Sequence, residues 1–137
     1  MSDLETSMRI AAAGMKVQSA RLRVSSENLA NAQSTAIEPG GEAYRRKTIE
    51  FGNQLDRELG VELVEVAAYG VDSSEQPKEF DPDNRAADAD GYVALPNVNP
   101  LTELMDMREA QRSYEANLGA MKQARSMLMK MIDILRG

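Results

Sequence analysis

Between Leu101 and Leu135 the sequence keeps a spacing that only a helix explains. Leu104, Met107, Gln111, Tyr114, Leu118, Met121, Arg125, Leu128, Ile132 and Leu135 follow one another in alternating steps of three and four. That is a heptad seam along one helical face. No proline follows Pro100, and the interior Gly119 costs only about 1 kcal/mol relative to alanine. The stretch predicts one continuous helix, roughly 50 Å long at ~1.5 Å per residue. A helix of that length in a chain of 137 residues needs something outside itself to pack against.

The other end of the chain offers a partner. Leu4, Met8, Ala11, Met15, Gln18, Leu22, Ser25, Leu29 and Ala32 repeat the three-four spacing, while Ile10, Val17 and Val24 recur every seven residues on an adjacent flank. A serine or aspartate near the start caps this helix, and a carboxylate in its first turn suits the positive end of the dipole. One edge of the C-terminal seam is expected to meet Leu4 to Ala32 of the same chain. The flank at Ile10, Val17 and Val24, together with Met107, Met121, Met127, Met129 and Met131, is left for neighbouring subunits. Gln18, Ser25, Gln111 and Arg125 interrupt the seams. They either fix register or lie at the solvent edge of a seam that drifts around a straight helix by ~20° per heptad.

The middle of the chain reads differently. Pro39-Gly40-Gly41 marks a turn. Tyr44 to Phe51 predicts a short strand, Gly52-Asn53 a turn, and Leu59 to Tyr69 a second strand rich in valine. Asp72 to Asp90, with Pro77, Pro82 and the acidic run Asp81, Asp83, Asp88 and Asp90, reads as an exposed connection. Gly91 to Leu95 is a further candidate strand. Asn99 is expected to be extended before Pro100, and either Pro100 or Leu101 opens the last helix. The expected fold is therefore mainly α. Long terminal helices form an antiparallel coiled-coil-like assembly domain over residues 1–33 plus 100–137, and residues 34–99 form a small central β-hairpin and extended region.

Composition removes most chemistry. The absence of cysteine and histidine takes away thiol nucleophiles, imidazole bases, disulfides and the usual zinc, copper and haem ligands. A formal charge of −6 and a pI near 4.7 argue against binding a phosphate backbone. With Gly91 at the sixth position of a calcium loop, Asp88 and Asp90 fall at the third and fifth, but Ala86 and Asn97 stand where the first and twelfth carboxylates belong. The basic triplet Arg45-Arg46-Lys47 lacks aromatic interleaving and is better read as a source of ion pairs with acidic neighbours. There is no glycine-rich phosphate loop and no nucleophile elbow, so no catalytic site, cofactor or metal is expected. No apolar run nears the ~20 residues that span a bilayer. The acidic start, Met1-Ser-Asp-Leu-Glu, is unlike a cleaved secretory signal.

Asn28-Leu29-Ala30-Asn31-Ala32, followed by Tyr44-Arg45-Arg46-Lys47 and Phe51, resembles the N-terminal signature of the bacterial flagellar rod and hook axial proteins. Asp88-Ala89-Asp90-Gly91-Tyr92-Val93 with Pro96-Asn97-Val98-Asn99, then Met107 and Arg112 to Asn117, is similar to the proximal-rod branch of that family. Gln33-Ser34-Thr35-Ala36 departs from the turn common in the wider family. The resemblance implies a structural subunit of the rod, a helical tube that crosses the periplasm, transmits torque and conducts exported subunits. It implies export from the cytoplasm without signal cleavage. The implied partners are further copies, rod subunits of the FlgB, FlgF and FlgG types, the adaptor FliE at the MS ring, and the flagellar type III export apparatus. No nucleic acid and no membrane insertion are implied.

The candidate interface residues are Leu4, Met8, Met15, Leu22, Asn28, Leu29 and Asn31 in the first helix region, and Leu104, Met107, Tyr114, Leu118, Met121, Leu128, Ile132 and Leu135 in the last. Gly91, Tyr92, Val93, Pro96, Asn97 and Asn99 carry the family motif. Asn28 and Asn31 either end the first helix by bonding its freed carbonyls or reach adjacent subunits. Two other classes compete with a rod subunit. A soluble coiled-coil adaptor or secretion chaperone would form a small closed oligomer, and a hydrolase would work through the acidic loop.

Overall fold

A computed structural model describes residues 3–137. Helix α1 (Asp3–Ala30) opens the chain and helix α2 (Pro100–Arg136) closes it. Between them lie strands β1 (Lys47–Asp56), β2 (Val61–Val71), β3 (Lys78–Phe80) and β4 (Tyr92–Ala94), paired as β1 with β2 and β3 with β4. Asp3 and Glu5 supply the first-turn carboxylates of α1; of the serine or aspartate expected to cap it, Ser2 lies outside the described residues and Asp3 is the first helical residue.

The polypeptide divides into two compact units. The first takes the chain as far as Leu22, Glu50–Ala68 and Arg108–Gly137. Within it, α1 and α2 run past each other in opposite senses: Arg21 ion-pairs with Glu109 at 3.2 Å, and Gly14 lies against the side chain of Asn117. Arg9 stands 3.9 Å from both Asp56 and Glu58 near the tip of the β1–β2 hairpin. The second unit holds Arg23–Ile49 and Tyr69–Met107. There β3 and β4 pair antiparallel, with Lys78 opposite Ala94, Glu79 opposite Val93 and Phe80 opposite Tyr92.

Several local expectations shift, each for a physical reason. The hairpin turns at Arg57–Gly60 and not at Gly52-Asn53. Asp56 Oδ1 accepts from the amides of Glu58 and Leu59, and Gly60 adopts φ +68°, so an aspartate-led turn outcompetes the earlier glycine. Gly52 stays inside β1, where a Cβ would come within 3.1 Å of Ala67. Strand β1 begins at Lys47 and not at Tyr44, because side chains claim the backbone before it. Gln76 Nε2 donates to the carbonyls of Ala43 and Tyr44, and Asn97 Oδ1 accepts from the Arg46 amide. Strand β3 lies inside the stretch expected to be a loop. It is only three residues long and sits between Pro77 and Pro82.

The covered face of α2 is also rotated from the expected seam. Met107, Tyr114, Met121 and Leu128 are partly covered, Met107 and Met121 among them although they were expected to face neighbouring subunits. The alternate positions, however, are Glu103, Ala110 and Ala124, at 0%, 0% and 5% exposure, with Asn117 half-buried between the alanines. Leu104, Gln111 and Arg125 face solvent. Apolar spacing cannot reveal a stripe whose covered residues are glutamate, alanine and asparagine. In α1, Val17 and Val24 are buried at 3% and 6%, so of the flank expected to be left for neighbours only Ile10 is exposed.

Candidate assembly interface

Uncovered apolar surface concentrates on α2. In the second unit Leu101, Leu104 and Met105 are exposed. In the first unit Met127, Met129, Met131, Ile132, Ile134 and Leu135 are exposed, the last two at 78% and 85%. Met107, Tyr114, Leu118, Met121 and Leu128 are half-buried, as are Leu4, Met8, Met15, Leu22 and Leu29 of α1. Met131 and Leu135 continue the heptad rows of Ala124 and Leu128 but are uncovered, so the last turns of α2 have their large apolar side chains free for contact with another molecule. Methionine suits such a surface because its unbranched thioether adapts to the shape it meets.

Asn28, expected among the interface residues, is instead completely buried. Its Oδ1 accepts from the Tyr44 hydroxyl at 2.7 Å and the Lys47 amide at 2.8 Å, and its Nδ2 donates to the Lys47 carbonyl at 2.9 Å. It therefore ties the end of α1 to the start of β1 inside the second unit. Burial pushes the Tyr44 phenol above its ordinary range. Asn31 is partly exposed and closes the helix: its Nδ2 donates to the Glu27 carbonyl at 2.9 Å and its Oδ1 accepts from Ser34 Oγ at 3.0 Å.

The basic triplet is spent on carboxylates, as expected. Arg45 pairs with Glu42 at 2.9 Å and Lys47 with Glu27 at 3.0 Å, while Arg46 Nε binds the fully buried Glu103. Asp106 and Asp72 lie 3.7 and 4.0 Å from the same Arg46 guanidinium. The start of α2 is thus held by a charge-assisted contact to the segment before β1. Asn97 completes the knot by donating to the carbonyls of Asp72 and Ser74 and to Ser74 Oγ.

The remaining motif residues shape this unit. Gly91 adopts φ +87°, and a Cβ there would meet Phe80 at 2.9 Å. Val93 is 1% exposed and Pro96 is buried. Tyr92 packs edge-on against Phe80 at 5.3 Å between ring centroids. Asn99 Oδ1 caps α2 by accepting from the amides of Leu101 and Thr102, with Pro100 as the first helical residue. Asp88 is occupied by its own turn. Amide hydrogen bonds, first from Tyr92 and also from Asp90 and Gly91, hold its carboxyl below the usual range. Gln76 and Glu103, both central to this network, carried no periodic or motif signal in the sequence.

Residues 89–134 match a family model described as the C-terminal region of flagellar basal body rod FlgEFG proteins. Across nearly its whole length the chain is 51% identical to the flagellar basal-body rod protein FlgC of Agrobacterium fabrum, covering 99% of this chain and 98% of that one. It is 37% identical to FlgC of Salmonella typhimurium over 91% of this chain and 92% of the relative. With FlgC of Bacillus subtilis the identity is 36%, covering 93% and 95%.

Proposed function

This chain belongs to the FlgC family of flagellar basal-body rod proteins, as a structural rod subunit of the basal body and not an enzyme, and from that premise we propose how it assembles. The terminal helices, residues 1–33 and 100–137, pair as an antiparallel coiled-coil-like assembly domain, with residues 34–99 as an appended β-rich region. Uncovered faces of these helices meet different faces on neighbouring subunits. Heterologous contacts whose rotation does not close build a helical tube and not a ring. Such a tube transmits torque and leaves a channel for exported subunits.

The observation that carries this reading is the apolar surface left open on α2, above all Ile134 and Leu135 at 78% and 85% exposure. Leu104 at 44% and Ile132 at 42% belong to the same proposed interface. The neighbours we assign are further copies of the chain, rod subunits of the FlgB, FlgF and FlgG types and the adaptor FliE. Delivery from the cytoplasm is assigned to the flagellar type III export apparatus. No helix among the described residues is long and apolar enough to cross a membrane. A closed coiled-coil adaptor is the weaker reading, because the relatives are themselves named as rod proteins.

The test is the double substitution Ile134→Asp/Leu135→Asp. Both side chains are already in solvent, so the purified protein should melt as the wild type does, while rod completion and swimming fail. Normal swimming at normal protein levels would remove these residues from the interface.

A further inference from the structure

Where α1 passes α2, one position has no room for a side chain. A Cβ on Gly14 would stand 2.7 Å from Asn117 Nδ2, 2.8 Å from Oδ1 and 2.9 Å from Cγ, well inside the ~3.5–4.0 Å at which non-bonded carbon atoms rest. Asn117 is not free to swing clear at no cost, because its Nδ2 donates to the Ser113 carbonyl one turn back at 2.9 Å. Its amide lies along its own helix and fills a notch that only glycine leaves. Gly119 provides the contrast: a Cβ there would meet nothing within 4 Å.

Asn117 is also the odd member of its row. It lies seven residues from Ala110 and seven from Ala124 in the covered stripe of α2, and those two are 0% and 5% exposed. A single asparagine at such a heptad position fixes register at a cost in stability. The ion pair between Arg21 and Glu109 is in step with Gly14 and Asn117, about two turns away along each helix. A slide of one heptad would place Asn117 opposite Arg21 or Ser7, and Gly14 opposite Ala124 or Ala110. Either slide exchanges a filled notch for a crowded position and a void.

We propose that Gly14 and Asn117 are a register lock, a specificity-determining pair that admits one axial alignment of α1 against α2. By setting that alignment, the lock decides which side chains of α2 remain uncovered for neighbouring subunits. The inference rests on the helix pairing proposed above and names the residues that determine it.

The test is a double-mutant cycle with two readouts. In the wild-type background Gly14→Ala displaces Asn117 and lowers Tm by about 3–6 °C. In an Asn117→Ala background the same change meets only a methyl group and gains helix propensity, so Tm rises. Register is read separately. The natural chain has no cysteine, so Arg21→Cys with Glu109→Cys reports alignment through a short bismaleimide. Cross-link yield should fall at least twofold on adding Asn117→Ala. Swimming should weaken in Gly14→Ala and in Asn117→Ala, and stay weak in the double variant, where the packing clash is relieved but the register is not restored. A Gly14→Ala effect of the same sign and size in both backgrounds, or an unchanged cross-link yield without Asn117, overturns the lock. The melting and cross-linking arms use the purified full-length protein, so they judge the lock independently of whether the exposed face of α2 builds the rod.

Discussion

Asn28 shows how much one buried amide holds in this protein. Three hydrogen bonds converge on it, from Tyr44, to the Lys47 carbonyl and from the Lys47 amide, and no solvent reaches the side chain. Asn28→Ala would leave the Lys47 backbone without either of these side-chain partners. A buried group left unsatisfied costs about 1–3 kcal/mol, so the substitution should destabilise the protein by about 2–4 kcal/mol. Tyr44→Phe removes one donor while the Lys47 amide still occupies Asn28 Oδ1, and should cost only about 1 kcal/mol. Urea midpoints of the two variants, at unchanged m-value, measure the difference. Equal losses would mean that the Tyr44 hydroxyl, and not the Lys47 backbone, dominates the site. Both residues were visible in the sequence as members of motifs. What they do was not, because the partners are separated by 16 and 19 residues and no periodicity connects them.

At the scale of elements, the start of α2 is the most explicit in the sequence. Asn99 followed by Pro100 is a cap followed by a first-turn residue that lacks the amide a helix start leaves unpaired, and the helix begins there. Asn99→Ala should cost about 1 kcal/mol, seen as a lower urea midpoint and faster amide exchange at Leu101 and Thr102. An unchanged exchange rate at those amides would mean that Pro100 alone starts the helix. The two long helices were legible throughout because apolar spacing persists over many turns. Which side each buries was legible only in part. Met107, Tyr114, Met121 and Leu128 revealed half of the covered stripe of α2, but the other half is Glu103, Ala110, Asn117 and Ala124. Glu103 is covered because Arg46 binds it, and Asn117 because Gly14 leaves space. Both facts belong to the partner segment, and a search along α2 alone could not supply them. The β region failed in the same way: side chains of Gln76 and Asn97 decide where β1 begins, and an aspartate decides where it turns.

Across the whole molecule, the two units are held by different chemistry. The segments of α1 and α2 in the first unit meet through alanine, valine and glycine, with Arg21 and Glu109 as a flanking ion pair. The second unit leans on carboxylates engaged by amides and guanidinium groups. Asp72 is held below its ordinary pKa first by the Ser74 amide, Asp88 first by the Tyr92 amide, and Glu42 by its hydrogen bond to Arg45. A carboxyl whose folded pKa is depressed takes up its proton more readily in the unfolded chain. Its contribution to stability is complete above the ordinary carboxylate range, about 3.9 for Asp and 4.3 for Glu. The contribution is lost as pH falls from there through the folded value. Acid should therefore loosen the second unit before the first. On titration from pH 7 to pH 3, amide protection corrected for intrinsic exchange should fall at Ser74, Asp90 and Tyr92, whose amides donate to these carboxylates. Protection within 108–128 of α2 should persist at the same pH. Simultaneous loss in both units would show that the carboxylate turns do not set the acid limit, and Asp88→Asn should then leave the titration of Tyr92 unmoved. If the turns do set it, Asp88→Asn removes the pH dependence at Asp90 and Tyr92 while Ser74, governed by Asp72, titrates as before.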